Sequence, residues 1–336
     1  MQVFEIQNTF GLDSLTLTER RDPSPSYGQV LLKMRAVSLN YRDWMVVKGL
    51  YNPKLPLPLI PFSDGVGEVV AVGEGVTRVK TGDRVAGIFF QKWLDGGLTQ
   101  EKTQSALGGA IEGLLAEYAV LHEDGVVHLP EHLTDEEAAT LPCAAVTAWN
   151  ALITSGGVKA GDTVLVQGTG GVSIFALQFA QLVGARVIAT SSSDEKLDRV
   201  LQLGASDGIN YKQTPNWGKA VRELTDGIGV DYVVEVGGAG TLTESLRAVR
   251  HGGQISLIGV LSGGSGEIST ASILMKNVRV QGIYVGSREM FEAMNRAIAL
   301  HTLQPVVDRV FPFEQAREAL AYMESGSHFG KICIRF

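Results

Sequence analysis

The stretch Thr163-Val-Leu-Val-Gln-Gly-Thr-Gly-Gly-Val-Ser-Ile-Phe-Ala-Leu-Gln-Phe-Ala180 decides how most of the chain is interpreted. Residues 163–167 are rich in β-branched side chains and have the length of one buried parallel strand. Glycines then crowd a turn, and apolar residues follow at helical spacing as far as Gly184. Residues 186–190 read as another strand. The stretch therefore predicts a strand–turn–helix–strand unit.

The glycine turn has the form G-x-G-x-x-S, with Ser173 where the dinucleotide-binding fingerprint has Gly or Ala. A turn with little side-chain bulk lets the backbone approach a pyrophosphate, and the following helix offers unpaired N–H groups and the positive end of its dipole. The alternative is a plain tight turn, but the position between a strand and a helix favours a dinucleotide site. The predicted cofactor contacts here are Gly168, Thr169, Gly170, Gly171 and Val172.

The end of the second strand predicts which dinucleotide binds. An NAD site usually has Asp or Glu about 20 residues after the glycine turn, where it binds the ribose 2′-hydroxyl. This chain has hydroxyls instead, at Ser191 and Ser192, followed by Lys196. Hydroxyls and an ammonium suit a 2′-phosphate, so NADPH is expected in preference to NADH. The serines can also cap a helix at 194–203, with Lys196 in solvent, and both interpretations can hold together.

Length and composition exclude several classes of protein. The 336 residues allow two domains, and 45% hydrophobic residues with 40 glycines suit a turn-rich enzyme. A net charge of −7 without a basic run disfavours nucleic-acid binding. The two cysteines, Cys143 and Cys333, form no disulfide framework, which favours a cytoplasmic location. Neither a signal peptide in residues 1–20 nor a membrane span is expected.

The pattern of predicted strands, turns and helices changes along the chain and indicates two domains. One is composed of 1–126 with 287–336, and the other of 127–286. The first reads as a barrel-like β domain of short strands and turns, with a loop or partly helical flap at 91–115. The second alternates strands and helices, as an α/β doubly wound parallel sheet requires. Its six predicted strands are 163–167, 186–190, 208–211, 232–236, 254–258 and 278–284. A final strand at 331–336 is expected to return to the first domain.

Short motifs accompany this order of elements, namely Asn40-Tyr-Arg-Asp43, Gly65-x-Gly67, Gly82-Asp-Arg-Val85, Leu141-Pro-Cys-Ala144, Gly168-Thr-Gly-Gly-Val-Ser173, Gly204-Ala205, Asn210-Tyr211 and Phe329-Gly-Lys331. With these motifs, the chain resembles the medium-chain dehydrogenase/reductase superfamily over essentially its whole length, and the zinc-independent quinone oxidoreductase branch in particular. The resemblance implies a GroES-like β-barrel-type catalytic domain, a Rossmann NADP-binding domain and a homodimer joined through the strand at 278–284.

The superfamily also contains zinc alcohol dehydrogenases, so the resemblance raises the question of a metal. Asn40 stands where the first cysteine ligand is usual, and Ser63 and Asp64 stand where a His-Glu pair is usual. Only Cys143 matches a ligand position, whereas a catalytic zinc needs three protein ligands. No metal is therefore expected, and Cys143 is expected to be a small buried residue near the nicotinamide.

The resemblance also implies roles for individual residues. Asn40 and Thr147 are expected near the nicotinamide and its ribose, although Asn40 can alternatively serve as a turn or cap and Thr147 can bond its own helix. Tyr51 matches a pocket tyrosine whose phenol can orient or protonate a carbonyl oxygen. Tyr211 is expected beside the 2′-phosphate, or alternatively in the core. Lys331 is expected near the cofactor, or alternatively as an exposed strand lysine.

Two further pairs follow predicted strands, where a ligand binds in the crevice of such a sheet. They are Val236 with Gly237, and Gly259 with Val260. Together with the resemblance, which implies the substrate class, these residues predict an NADPH-dependent, zinc-independent oxidoreductase that transfers hydride to a quinone, an enone or another small conjugated carbonyl. A zinc-type alcohol dehydrogenase with unusual ligands and a non-catalytic NADPH-binding protein are the alternatives.

Overall fold

The computed structural model describes all 336 residues, which divide into two compact units. Unit 1 comprises Met1–Val146 and Gly286–Phe336, and unit 2 comprises Thr147–Val285. The predicted boundaries were 126/127 and 286/287. The structure moves the first of them by 20 residues, to 146/147.

The strands are numbered in chain order. They are β1 (Gln2–Ile6), β2 (Leu15–Glu19), β3 (Gln29–Ser38), β4 (Asp64–Val72), β5 (Arg84–Gly87), β6 (Tyr118–His122), β7 (Val126–His128), β8 (Thr163–Gln167), β9 (Arg186–Ser191), β10 (Asp207–Asn210), β11 (Val230–Glu235), β12 (Val249–Leu257), β13 (Arg279–Gly282), β14 (Val307–Pro312) and β15 (Lys331–Arg335).

The α-helices are numbered in the same way. They are α1 (Tyr41–Val47), α2 (Gln100–Thr103), α3 (Asp135–Ala139), α4 (Val146–Trp149), α5 (Gly171–Leu182), α6 (Asp194–Gln202), α7 (Trp217–Leu224), α8 (Ala239–Ala248), α9 (Thr270–Met275), α10 (Arg288–His301) and α11 (Ala316–Glu324). Two π-helical turns, Leu141–Ala145 and Asn150–Thr154, flank α4, so the helical segment that contains α4 is more widely wound at both ends.

Unit 2 is a doubly wound sheet, and the α/β prediction is confirmed. Its six strands are all parallel, in the order β10-β9-β8-β11-β12-β13. Each predicted strand is present within a few residues, because runs such as Val164-Leu165-Val166 are buried on both faces of a parallel sheet. The strand order reverses between β8 and β11, which is where such sheets bind ligands.

Unit 1 is built on a largely antiparallel sheet in the order β14-β15-β3-β4-β5-β7, with β6 also paired to β3. The final strand does return, since β15 pairs antiparallel with β3 and places Cys333 opposite Ser38. Side chains from both ends of the chain share one core, including Leu32 of β3, Leu320 of α11 and Ile334 of β15.

The first boundary differs from the prediction because residues 127–146 make their contacts in unit 1. Strand β7 pairs with β5, which extends the sheet of that unit. The carboxylate of Glu136 in α3 forms an ion pair with Arg335 of β15, and its backbone carbonyl lies 3.3 Å from the Cys333 sulfur. A helical sequence pattern does not show which sheet the helix packs on. The prediction from sequence therefore assigned residues 127–146 to the wrong domain.

The 91–115 segment is partly helical, as expected, and its second half is buried. It contains α2, whose first N–H groups are capped by Thr99, and Leu107 and Leu114 are almost completely buried. The Arg42 guanidinium holds it by donating to the carbonyls of Leu107 at 2.8 Å and Gly108 at 3.1 Å. The segment is therefore anchored to α1.

None of the helices combines the length and the apolarity that a bilayer crossing requires.

Candidate functional site

The glycine turn of unit 2 has the backbone that an anion cradle requires. Gly168 has a φ of +69°, which disfavours side chains with a Cβ. Gly170 is the N-cap of α5 with a φ of −78°, and a Cβ there would meet no atom within 4 Å. No side chain caps α5. The N–H groups of the first turn of α5 therefore have no side-chain cap, and the space beside Gly170 is open, as at helix N-termini that bind anions.

Ser173 explains how the chain departs from the fingerprint. Its hydroxyl is buried and donates to the backbone carbonyl of Gln167 at 2.6 Å. A serine at this position therefore ties the first turn of α5 to the end of β8, where a glycine would only allow close packing.

A buried carboxylate, which the sequence analysis missed, organises the neighbouring strand end. Glu235, the last residue of β11, is completely buried. Its Oε1 accepts from the N–H groups of Gly237 at 2.8 Å and Gly238 at 3.0 Å, and from the Thr241 hydroxyl at 2.6 Å. Its Oε2 accepts from Gln167 at 2.7 Å and from the Ser245 hydroxyl. A carboxylate inside the apolar run Tyr-Val-Val-Glu-Val was the available signal.

The loops after β11 and β12 lie against each other. A Cβ on Gly259 would come within 2.3 Å of the Val236 carbonyl, so only glycine fits. Gly237 is buried, whereas Val260 is 51% exposed. These four predicted contacts therefore stand together at the carboxyl ends of two adjacent strands.

The end of β9 supports both interpretations of its serines. Ser193 caps α6 by accepting from the Lys196 N–H at 3.3 Å, which confirms the capping role. Ser191 is buried at the strand end, while Ser192 and Lys196 are half-buried. Tyr211 is 41% exposed, so the alternative of a core aromatic is wrong.

One carboxylate does lie near this strand end, at Asp194. Its two oxygens accept from the side-chain amides of Asn210 at 2.6 Å and Gln213 at 2.8 Å. The Asp194 carboxylate therefore binds side chains at the end of β10 and in the segment that follows it.

In unit 1, Asn40 belongs to a buried polar cluster with Lys331, Ser63, Asp64 and the backbone of Cys143. The Lys331 ammonium donates to Asn40 Oδ1 at 2.6 Å, and Asn40 Nδ2 lies 3.4 Å from the Ser63 hydroxyl. Ser63 donates to Asp64 Oδ1 at 2.7 Å, and Asp64 Oδ2 accepts from the Cys143 N–H at 3.0 Å. Lys331 is only 4% exposed, so the alternative of an exposed strand lysine is wrong.

Asn40 is also the N-cap of α1, which confirms its structural alternative alongside its place in the cluster. Asp43 accepts from the Asn40 N–H at 2.8 Å and pairs with Arg42 at 3.1 Å. The Arg42 guanidinium lies 5.3 Å from the centre of the Tyr51 ring, which is 37% exposed. Thr147 is buried and lies in unit 2, within α4.

The donor atoms of this cluster do not fit a catalytic zinc. Asn40 Oδ1 already accepts a hydrogen bond from the Lys331 ammonium, and the Ser63 hydroxyl already donates to Asp64. Desolvation and the nearby Asp64 carboxylate raise the pKa of the Cys143 thiol, which disfavours the thiolate that a metal binds. Cys143 is partly exposed rather than fully buried as expected. No three His, Cys, Asp or Glu side chains converge on a point here or elsewhere in the chain.

The cluster predicts an unusual pH dependence. Burial raises the pKa of Asp64 to about 6 from an ordinary 3.8, with Lys331 opposing the shift. The folded chain holds this proton at a pH where the unfolded chain has lost it. The contribution of Asp64 to the free energy of unfolding is therefore largest below pH 4. That contribution falls by about 3 kcal/mol as the pH rises to 6 and above.

Asp64→Asn should remove that loss. In denaturant titrations between pH 4 and 7, the unfolding free energy of the parent chain is expected to fall relative to the variant as pH rises. Asp83→Asn is the control, because hydrogen bonds from Lys80 lower the pKa of Asp83, so that this carboxyl group is ionised in both the folded and the unfolded chain over most of this pH range and its removal should leave the pH dependence of the parent unchanged. A difference between parent and Asp64→Asn that is independent of pH would contradict the prediction.

Comparison with known proteins agrees with this architecture. The family model described as "Alcohol dehydrogenase GroES-like domain" matches residues 26–131, and the one described as "Zinc-binding dehydrogenase" matches residues 171–299.

Individual proteins match over almost the whole chain. A zinc-type alcohol dehydrogenase-like protein of Schizosaccharomyces pombe is 48% identical, with 97% of this chain and 96% of that protein covered. The quinone oxidoreductase of Sus scrofa is 33% identical, with 88% and 85% covered. The crystal structure of a putative alcohol dehydrogenase from Sinorhizobium meliloti 1021 superposes with a TM-score of 0.94 at 43% identity, with 100% and 98% covered.

The relatives thus carry both zinc-type and quinone oxidoreductase names, while unit 1 has the GroES-like fold and unit 2 the Rossmann fold. The chain belongs to the medium-chain dehydrogenase/reductase superfamily and is an NAD(P)H-dependent oxidoreductase.

Proposed function

We propose that the chain is an NADPH-dependent, zinc-independent reductase that transfers hydride to a quinone, an enone or another small conjugated carbonyl. The observation that carries the proposal is the Asn40–Ser63–Asp64 cluster, whose polar atoms bind one another and Lys331 at positions that the resemblance to zinc alcohol dehydrogenases would assign to metal ligands. Without a metal to stabilise an alkoxide, simple alcohol oxidation is disfavoured.

Unit 2 would hold the cofactor, which when bound supplies the hydride. The glycine cradle from Gly168 to Val172 and the first turn of α5 would bind the pyrophosphate. The loops that carry Gly237 and Gly259 would support the nicotinamide half, and the buried Glu235 holds the first of them in place.

The 2′-phosphate assignment rests on the end of β9. Ser191 and Ser192 offer hydroxyl donors, and Lys196 offers a charge. The exposed Tyr211 follows β10, with its N–H bonded to the Ser191 carbonyl at 3.0 Å, which keeps it beside the serines. Asp194, the acid near this point, has both oxygens occupied by amides.

Ser191→Asp should lower the ratio of kcat/KM for NADPH to that for NADH by at least about 100-fold. A carboxylate there repels a 2′-phosphate and accepts a hydrogen bond from a ribose hydroxyl. Two like charges about 4 Å apart near a protein surface repel by about 4 kcal/mol, which is enough for a 100-fold change in the ratio. Steady-state kinetics with both cofactors measures the ratio.

The matched control is Ser206→Asp, which adds the same charge at an exposed position just before β10, at the opposite end of its strand. Its cofactor ratio should stay within about twofold of the parent, since exposed charges are screened over a Debye length of about 10 Å. An unchanged ratio in Ser191→Asp would refute the phosphate assignment.

Three residues are proposed to act on the reacting groups. Tyr51, a residue that is 37% exposed, carries a phenol that can orient the substrate carbonyl and hold a proton for it. Asn40 presents an amide N–H, and Thr147 a hydroxyl, for the ribose and nicotinamide. These groups bind and orient, which is the protein's main contribution when the cofactor carries the chemistry.

The test is steady-state kinetics with NADPH and NADH across quinones, enones and simple aldehydes, together with metal analysis of the purified protein. Turnover of quinones or enones with NADPH, without stoichiometric metal, is the expected result. Near-stoichiometric zinc with alcohol oxidation would instead establish a zinc-type alcohol dehydrogenase. Tight NADPH binding without turnover of any substrate would establish a non-catalytic binding protein.

The proposal includes a cytoplasmic homodimer that needs neither nucleic acid nor membrane. Strand β13 has no partner on its outer edge, and the nearby Leu274 and Met275 of α9 are 78% and 77% exposed. Edge pairing with a second copy would cover both features. Sedimentation analysis should give twice the chain mass of 36.0 kDa.

A further inference from the structure

Lys331 is buried to a degree that is rare for lysine, and it faces neutral acceptors. It is 4% exposed, and its ammonium donates to the Leu39 carbonyl at 2.5 Å and to Asn40 Oδ1 at 2.6 Å. Lysine is almost never fully buried unless it is paired. Its nearest partners here belong to the residues at the start of α1, which points to a role in that part of the chain.

The ammonium decides which way the Asn40 amide faces. An ammonium only donates hydrogen bonds, so the amide oxygen must face Lys331 and the NH2 group must face Ser63. Ser63 in turn donates to Asp64. The bonds therefore run in one direction, from Lys331 through Asn40 and Ser63 to Asp64, and a rotated amide would place N–H against N–H.

The cluster also has a defined charge arrangement. Lys331 of β15 is the cation of the cluster and Asp64 of β4 is its carboxyl group, while Asp43 of α1 is paired with Arg42. The backbone N–H of the partly exposed Cys143 donates to Asp64 Oδ2 at 3.0 Å and is the last bond of the chain. A metal would place a second cation beside the first, in a region with little water to screen it.

We propose that Lys331 takes the electrostatic place of a metal ion in this cluster, and that it is a positioning residue which fixes the Asn40 amide with its oxygen toward the ammonium and its NH2 group toward Ser63. The kinetic part rests on the proposed function. The exclusion of metal depends only on the cluster and is tested without turnover.

The kinetic test is a double-mutant cycle of Lys331→Met and Asn40→Ala, measured as kcat with saturating NADPH and a quinone. Each single variant should lose at least about 10-fold in kcat, and the double variant no more than about twofold beyond the worse single, because both remove one interaction. Lys331→Arg keeps the cation and should recover most of the loss. Lys33→Met, on the exposed face of β3, is the matched control.

Two kinetic results would overturn the proposal. One is a double variant whose fold loss in kcat equals the product of the fold losses of the two single variants, because the two residues would then act independently. The other is a rise in KM for NADPH with kcat unchanged in Lys331→Met, which would make Lys331 a cofactor contact alone.

The metal test compares Asn40→Cys/Ser63→His with the same pair of changes combined with Lys331→Met. Together with Cys143, these changes supply the three N and S ligands of a catalytic zinc. Zinc affinity, measured by competition with a fluorescent chelator, should be at least about 100-fold tighter when Lys331 is replaced. Equal zinc affinity with and without the ammonium would contradict its role as the resident cation.

The two arms separate the two proposals. If the parent chain reduces none of the carbonyls, the proposed function fails and the zinc comparison alone decides the role of the ammonium. If the triple variant fails to fold, the kinetic cycle decides the positioning role.

Discussion

Gly170→Asp is expected to weaken NADPH binding by at least about 100-fold while leaving the chain as stable as before, or more so. Gly170 is the N-cap of α5, with an extended backbone of φ −78° and ψ 174° that any residue adopts. A Cβ there meets nothing within 4 Å. Aspartate is among the preferred N-cap residues and would accept from a free N–H group at the start of α5, adding roughly a few tenths of a kcal/mol of stability over glycine.

The same carboxylate occupies the cradle and repels the pyrophosphate. Two unit charges about 4 Å apart near a protein surface interact by about 4 kcal/mol, which is enough for a loss of two to three orders of magnitude in affinity. Titration of the intrinsic fluorescence with NADPH measures the dissociation constant, and denaturant unfolding measures the stability.

The opposite signs of the two effects make the test specific. Gly97→Asp is the matched control, because Gly97 is exposed in unit 1 and a Cβ there also meets nothing within 4 Å. It should change neither quantity appreciably. Unaltered NADPH affinity in Gly170→Asp would show that the pyrophosphate does not bind at this turn.

Glu235→Ala should lower the free energy of unfolding by about 3–5 kcal/mol. The substitution removes the acceptor of five hydrogen bonds, two of which come from the buried N–H groups of Gly237 and Gly238. Removing one member of a buried, charged hydrogen-bond network has a cost of this order. Urea titration of the intact chain measures the change.

Glu223→Ala is the control for this substitution. Glu223 is an exposed glutamate of α7 that pairs with Lys219 at 3.6 Å, and its loss should cost no more than about 0.5 kcal/mol. Glu235 holds the loop at Gly237 in place by accepting from its N–H groups, and this loop is proposed to support the nicotinamide half of the cofactor. The affinity for NADPH should therefore also fall in Glu235→Ala. A loss of stability similar to that of the control would mean that the network contributes little to folding.

Much of unit 2 could be predicted because its signals are local. Short β-branched runs, glycine turns and apolar periodicity are contiguous in the chain, and they specified the strands of the doubly wound sheet and the turn at Gly168–Gly171. The role of Ser193 as a helix cap was also local, since a cap acts within three residues of itself. The element boundaries shifted by a few residues, because helix and strand ends depend on neighbours that periodicity does not show.

The cluster in unit 1 could not be predicted in the same way. Lys331 and Asn40 are separated by 291 residues, and only the pairing of β15 with β3 brings them together. For the same reason, the burial of Lys331 and the exposure of Tyr211 could not be read from residue type, because a strand-end residue faces the core or the solvent according to what packs on it. The π-helical turns beside α4 also had no signal in the apolar pattern.

By itself, the sequence determined the superfamily, the two-domain α/β plan, the glycine turn before α5 and the absence of a zinc-ligand set at Asn40, Ser63 and Cys143. The tertiary structure alone decided that residues 127–146 belong to unit 1, that Glu235 organises the loop after β11, and that a buried ammonium orients Asn40. Patterns along a chain record which side chains avoid water, whereas hydrogen bonds between distant residues exist only once the strands have paired.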